Sequence, residues 1–331
     1  DSISAFTQTM GIAETRQFLH VLFGRIMKDM DITTILIGEI PIGQLGTGFG
    51  VEEFVADGVI LLKYSRVGKV ERREMDIVKM RGVELNRSHF EYTISKDYNG
   101  IGLIVLPYRS DILEVPTEKV TTGIEGLDNM LYGGVYRGSM TLIEGPTGIG
   151  KTTSCLQFLL ENAKKGEKCL FLSFEEPTGQ ITRLMDSLNL NHEGRENLVI
   201  ESYVPEALSP LRYYGLIKEK VERLDPKMLA IDSVTAIQHT LKEEDFIEFI
   251  RYLQLLCKER GLTIYLTALS RMDGYSVSGI STLADNIIVM RYLEEDNMLN
   301  REILVIKARG SPHDKRITRF DVKDMGLIIK S

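Results

Sequence analysis

From residue 140 onward, short apolar runs alternate with segments of helical spacing. Met140-Thr141-Leu142-Ile143-Glu144 reads as a buried strand, and Ser154 to Leu160 carries the apolar spacing of a helix. The alternation continues in order. Cys169 to Phe174 predicts a strand, Thr178 to Ser187 a helix, and Asn197 to Tyr203 a strand. Leu211 to Leu224 predicts a helix, Met228 to Ile231 a buried strand, Glu244 to Glu259 an amphipathic helix, and Leu262 to Leu269 a strand. Such alternation predicts an α/β fold with a mostly parallel central sheet flanked by helices. Asn286–Tyr292 and Ile303–Ile306 predict an antiparallel extension at its C-terminal end.

The earlier residues carry fewer elements. Phe18, Leu19, Leu22, Phe23 and Ile26 place a helix over Glu14 to Lys28. Ile32 to Ile37 reads as a short strand and Ile42 to Gly50 as a glycine-rich loop. Val59–Tyr64 and Glu74–Met80 read as antiparallel neighbours, and Pro107 to Pro116 as a linker. These residues echo later ones. Asp1-Ser2-Ile3-Ser4-Ala5 resembles Asp232-Ser233-Val234-Thr235-Ala236. Asp57-Gly58-Val59-Ile60-Leu61-Leu62-Lys63-Tyr64 resembles Asp285-Asn286-Ile287-Ile288-Val289-Met290-Arg291-Tyr292. Val78-Lys79-Met80-Arg81-Gly82 resembles Ile306-Lys307-Ala308-Arg309-Gly310. A near-constant spacing over three separate blocks indicates tandem duplication. The expected division is 1–113, the rear half of a first domain lacking its phosphate loop, and 114–331, a complete second domain. The matching front half is expected upstream. The rear half is expected to pack against the second domain or another chain, because a half-domain exposes a sheet edge and apolar surface.

Composition narrows the class. A formal net charge of −7 argues against a protein that coats nucleic acid. The three cysteines, Cys155, Cys169 and Cys257, form no C-x-x-C pair, so neither a zinc site nor a disulfide framework is suggested. Cys155 and Cys169 sit in apolar runs and read as core residues. A reducing cytoplasm fits this usage. No run approaches the ~20 apolar residues that cross a bilayer, and no signal peptide is visible.

The chemistry centres on Gly145-Pro146-Thr147-Gly148-Ile149-Gly150-Lys151-Thr152-Thr153, between a predicted strand and a predicted helix. This is the G-x-x-x-x-G-K-[ST] phosphate loop in the context it requires. Its glycines let backbone N–H groups line a concavity for anionic oxygens, and the helix aims its positive end there. Lys151 is placed to reach the β- and γ-phosphates of ATP, and the Thr152 hydroxyl to ligate Mg²⁺. Asp232 ends a buried strand and is a second Mg²⁺ candidate, the alternative being a turn cap. Glu175 and Glu176 follow the strand Cys169–Phe174. Paired carboxylates at a strand's carboxyl end can orient and deprotonate a water, the alternative being a solvated acidic turn before Pro177. Lys307 and Arg309 share one face of a strand. They suit either an arginine-finger role at a neighbouring subunit or the protection of an edge strand. Ser281 and Thr282, just before Asp285, are phosphoacceptor candidates or turn residues. The first copy has Glu53 and Phe54 there. His192, His239 and His313 lack metal-like spacing and read as surface residues.

Thr122-Gly123-Ile124-x-x-Leu127-Asp128, the Gly133-Gly134 turn and the phosphate loop resemble the RecA/RadA superfamily. Phe174-Glu175-Glu176, the run Ile306-Lys307-Ala308-Arg309-Gly310-Ser311-Pro312-His313-Asp314-Lys315 and the tandem copy resemble the KaiC family, in the form of a two-domain KaiC-like ATPase. The resemblance covers essentially the whole chain. It implies a RecA-like fold in hexameric rings of identical subunits, with ATP between subunits. It assigns Lys151 and Thr152 to phosphate and Mg²⁺, Glu175 and Glu176 to water or hydroxyl activation, and Lys307 and Arg309 to a neighbour's γ-phosphate. Ser281-Thr282 fall on the pair autophosphorylated in the clock member, which implies autokinase activity. The long C-terminal tail of that member is not visible before Ser331, so a clock role is not expected. A recombinase-like protein holding single-stranded DNA is the alternative. The net charge and the lack of an aromatic-plus-basic stretch disfavour it. A scaffold that binds nucleotide without turnover is a third reading.

Overall fold

The computed structural model describes residues 9–40, 55–67, 70–85, 87–95, 100–104, 116–190, 193–270 and 279–329. The predicted loop Ile42–Gly50, the first echo block and His192 lie outside them, as does nearly all of the predicted linker. Two units result, one within 1–65 and 72–103, the other within 66–71 and 104–331.

In the first unit, helix α1 (Ile12–Val21) continues through a π-helical turn at Leu22–Ile26 to Asp29. Leu19 is buried against Phe18, Phe23, Leu36 and Val55. Strands β1 (Gly58–Val67), β2 (Val70–Met80), β3 (His89–Ser95) and β4 (Gly100–Ile104) form one sheet in that order, all of it in this unit except residues 66–71 and 104. The strand expected over Ile32–Ile37 is absent. Only Ile37 makes an isolated bridge, and Ile32, Ile35 and Ile37 are exposed. Strand propensity needs ladder partners, and a single isolated bridge does not make a ladder.

The second unit opens with β5 (Lys119–Val120), α2 (Glu125–Met130) and β6 (Val135–Tyr136). The β5–β6 pairing needs the turn glycine Gly134, at φ +100°. A Cβ there would lie 2.1 Å from the Val120 carbonyl oxygen. The chain then alternates: β7 (Met140–Gly145), α3 (Lys151–Lys164), β8 (Cys169–Ser173), α4 (Thr178–Ser187), β9 (Leu198–Ser202), α5 (Pro210–Leu224), β10 (Met228–Asp232), α6 (Val234–Gln238), α7 (Glu243–Arg260) and β11 (Thr263–Leu269). Strands β12 (Asn286–Glu295), β13 (Met298–Ala308), β14 (Thr318–Lys323) and β15 (Gly326–Ile329) close the unit. The sheet runs β15-β14-β13-β12-β7-β11-β10-β8-β9. From β9 to β12 every pairing is parallel, and β12 through β15 form an antiparallel meander.

Alternation along the strands builds two cores. Leu142, Leu170, Leu229, Ile264 and Leu266 face α5, α6 and α7. Ile143, Phe171, Ala230, Tyr265 and Ile288 face α2, α3 and α4. Each fully buried Leu, Ile or Phe contributes about 1.5–3 kcal/mol. Phe158 of α3 stacks on Tyr265 with ring centroids 3.8 Å apart, which fixes the helix over the sheet. All three cysteines are buried, Cys257 included.

Two strand pairs share lengths and spacing. β1 and β2 begin and end at 58–67 and 70–80, and β12 and β13 at 286–295 and 298–308.

Candidate nucleotide site

The strand register gathers the site at one end of the sheet. Leu269 pairs with Gly145 at the ends of β11 and β7, and Asp232 pairs with Ser173 at the ends of β10 and β8. The loop from Gly145 to Gly150 leaves β7 there. Ile149 is fully buried and anchors it, while Thr147 and Gly148 are exposed. Gly148 and Gly150 have φ of +76° and +121°, a backbone that L side chains rarely adopt. Gly150 caps α3 without a side-chain acceptor, so the first-turn amides of the helix face the loop with their positive end.

The charged groups converge on this point. Lys151 Nζ donates to the carbonyls of Gly145 (2.8 Å) and Pro146 (3.0 Å). Burial pushes its ammonium below the ordinary lysine range, against the pull of Asp232 and Glu175. Thr152 Oγ1 donates to Asp232 Oδ2 at 2.7 Å, and Thr267 Oγ1 donates to the other carboxylate oxygen. Asp232 is 3% exposed. Burial raises its pKa, and the two hydroxyls and Lys151 oppose that rise. Ser233 Oγ donates to Glu175 Oε1. The turn carrying Glu175 and Glu176 is shaped by Ser173 Oγ, which accepts from the Glu176 N–H at 2.9 Å. Burial first, then Asp232 and Glu175, push the Glu176 carboxyl upward.

The Tyr292 hydroxyl borders the loop tip, 3.5 Å from where a Cβ on Gly148 would stand. Arg301 lies opposite Tyr292 in the β12–β13 register, its guanidinium 6.0 Å from the ring centroid, with a buried, unpartnered Nε. Sequence reasoning missed Ser173, Ser233, Thr267, Tyr292 and Arg301. Thr267 sits inside a predicted strand, so no spacing signal marks it.

Lys307, Arg309, Ser281 and Thr282 lie elsewhere. Asn286 pairs with Thr141, and the Asp285 N–H donates to the Met140 carbonyl at 2.8 Å, so residues 281–285 border the start of β7. The phosphate loop leaves its other end, about 17 Å away at the ~3.3 Å rise of a parallel strand. Lys307 Nζ donates to the carbonyls of Ala284 (2.7 Å) and Ser281 (3.0 Å). Arg309 donates to Asp285 Oδ1 (3.2 Å) and the Thr282 carbonyl (3.3 Å). The Thr282 side chain is exposed. Lys151, Thr152, Asp232, Glu175 and Glu176 therefore form one cluster, and Lys307, Arg309, Ser281 and Thr282 another.

The first cluster fits a nucleoside triphosphate. The glycine backbone admits anionic oxygens, and a cation and helix amides surround them. No trio of His, Cys, Asp or Glu suited to a metal exists among the described residues. Two oxygen donors, Thr152 and Asp232, match Mg²⁺ that arrives with phosphate and water rather than a protein cage.

A parallel sheet with a glycine loop and lysine at the end of β7, and carboxylates at the same end of β10 and β8, the strands beyond β11, defines a RecA-like phosphate-loop fold. A family profile described as "ATPase: KaiC" matches residues 1–107 and 120–331. The chain belongs to the KaiC ATPase family. It is 31% identical to the circadian clock protein KaiC3 of Synechocystis sp., over 99% of this chain and 66% of that protein. It is 30% identical to the circadian clock oscillator protein KaiC of Picosynechococcus sp., over 100% of this chain and 65% of the relative. The KaiC of Parathermosynechococcus lividus is 31% identical, over 100% of this chain and 62% of its own length. The chain thus spans about two thirds of the length of these relatives. Among the described residues, no helix is long and apolar enough to cross a membrane.

Proposed function

We propose that this chain binds ATP with Mg²⁺ at the loop 145–153 and hydrolyses it within a homo-oligomeric, hexameric ring. In that ring, Lys307 and Arg309 of one subunit reach the γ-phosphate held by the next. The observation that carries this is the separation of the two clusters by the length of β7. Within one subunit the basic pair is too far from its own phosphate loop, so it serves a nucleotide only across a subunit boundary.

Lys151 would exchange the carbonyls of Gly145 and Pro146 for β- and γ-phosphate oxygens. Thr152 and Asp232, already joined by a hydrogen bond, would hold Mg²⁺, which supplies charge neutralisation on the phosphates. Glu176, with its raised pKa, is the better general base. It takes a proton from water as the water oxygen bonds to the γ-phosphorus and the bond from that phosphorus to the β-phosphate oxygen breaks. Glu175, tied to Ser233, holds the turn and adds negative potential. Ser281 and Thr282, beside the basic pair, would meet a neighbour's γ-phosphate and accept it when a hydroxyl replaces water. Residues 1–113 are read as the rear half of a first such domain and 114–331 as a complete second one, supported by the matching strand boundaries.

Phosphate release is expected to stop in Lys151→Ala and in Glu175→Gln/Glu176→Gln, with ATP raising the mass in solution to that of a ring. Intact mass after incubation with ATP and Mg²⁺ would locate added phosphate at Ser281 or Thr282. Unchanged turnover in both variants, or full turnover by a monomer, would overturn the reading.

A further inference from the structure

Asp285, 6% exposed, is a carboxylate on which three elements converge. Its Oδ2 accepts from the Met140 N–H at 3.0 Å and from Lys258 Nζ at 3.3 Å. Its Oδ1 accepts from Arg309 Nη1 at 3.2 Å. The backbones are joined as well. The Asp285 N–H donates to the Met140 carbonyl, and the Arg309 N–H donates to the Asp285 carbonyl at 2.9 Å. Met140 opens the strand that ends in the phosphate loop, and Arg309 directly follows β13. One carboxylate therefore joins the loop's strand to the arginine. With one oxygen fixed by a backbone N–H, its rotation is blocked, and the guanidinium on the other oxygen is held in one place.

The first unit repeats the arrangement. Arg81 Nη1 lies 3.1 Å from Asp57 Oδ1, and the Arg81 N–H donates to the Asp57 carbonyl at 2.9 Å. Lys79 Nζ donates to the Ala56 carbonyl at 2.9 Å, where Lys307 donates to Ala284 at 2.7 Å. This unit has Glu53 and Phe54 in place of Ser281 and Thr282, so the arrangement does not exist to hold hydroxyl acceptors. Stability is a weak reason for it too. The Asp57 and Arg81 side chains are 52% and 57% exposed, and such pairs are worth about 0–1 kcal/mol. What the two copies share is a lysine–arginine pair aimed by a neighbouring aspartate.

We infer that Asp285 is a positioning residue for Arg309 and, with it, for the reach of Lys307 toward the neighbouring subunit's nucleotide. Asp57 does the same for Lys79 and Arg81. The inference rests on the reading that the basic pair acts across subunits. The test is steady-state turnover of the full chain. Asp285→Asn keeps the shape and an acceptor for the Met140 N–H but removes the charge. It is expected to lower kcat on the order of 10²-fold, the scale of a catalytic group misplaced by an ångström, with KM for ATP within about twofold. Subunits of Asp285→Asn are then mixed before assembly with Lys151→Ala subunits, which keep a sound basic pair but lose the loop lysine. Turnover above that of either parent is expected, because a sound loop next to a Lys151→Ala subunit then meets a sound basic pair. No rescue would mean that Asp285 serves only its own domain, and the inference falls. Arg309→Ala separates the two claims. If it is inactive while Asp285→Asn turns over normally, the inference fails and the function stands. If Arg309→Ala turns over normally, both fail. Should Asp285→Asn not fold by circular dichroism, Asp285→Glu, which keeps the charge on a longer arm, carries the same experiment.

Discussion

Replacing Lys151 with Met separates two roles that the structure combines. The ammonium reaches back to the Gly145 and Pro146 carbonyls at 2.8 and 3.0 Å, and it is partly withdrawn from water. Its folded pKa lies below 10.5, so the folded chain binds this proton more weakly than the unfolded chain does. The charge thus costs stability below the folded pKa, and stability recovers as pH rises from that value to 10.5. Losing two charge-assisted bonds and relieving that desolvation act in opposite directions. Lys151→Met without nucleotide is therefore expected to stay within about 1 kcal/mol of wild type.

Nucleotide changes the comparison. At about 100 times its Kd, a ligand specific for the folded state adds roughly 2.7 kcal/mol. For a unit of this size, about 1 kcal/mol moves Tm by 2–4 °C, so wild type should gain roughly 5–11 °C. The variant should gain almost none. Scanning calorimetry with Mg²⁺ and a non-hydrolysable ATP analogue reads both quantities. A full shift in Lys151→Met would refute the assignment of this lysine to phosphate. A nucleotide-free Tm lower by ten degrees or more would show that it is a strut for its own loop.

Two further outcomes follow from the same geometry. Glu176 must be deprotonated to act as base, so the acid limb of kcat should lie above its ordinary 4.5; Glu175→Gln removes one neighbouring charge and should move that limb to lower pH, and a limb that stays put would exclude Glu176 as the titrating base. Phe158→Ala deletes a fully buried ring stacked on Tyr265 and should cost about 3–5 kcal/mol in urea unfolding, a loss below ~1 kcal/mol meaning that α3 is held mainly by other contacts.

Local chemistry was readable wherever neighbours in sequence decide it. Thr178–Ser187 is a helix with the bounds expected from its spacing; the strand before Glu175 ends at Ser173, one residue short of the expected Phe174, and the strand expected to end at Ile231 takes in Asp232. Gly145 to Thr153 announces itself because strand, loop and helix are contiguous. What depends on partners far along the chain was not readable. Ile32–Ile37 has the composition of a strand, but a strand forms only where ladder partners exist. Thr267 and Ser173 hold Asp232 and the Glu175 turn, yet threonine and serine in strands are too common to stand out.

The position of the basic pair is the clearest case, and it decides how the site works. Lys307 and Arg309 read as residues on one face of a strand, which leaves open which end of the sheet they occupy. That end is set by the β12–β7 register, where Asn286 meets Thr141 rather than Gly145. Shifted four residues along β7, an even step that keeps each side chain on its face, the basic pair would stand about 13 Å nearer its own phosphate loop, by the ~3.3 Å rise per residue. A single subunit would then be able to complete its own site. In the observed register the pair stays at the far end of β7, so under the proposed function catalysis would require assembly. Asp285 fixes this register by gripping Met140 through both its N–H and its carboxylate. The residue that aims Arg309 thereby also sets the end of the sheet from which it acts.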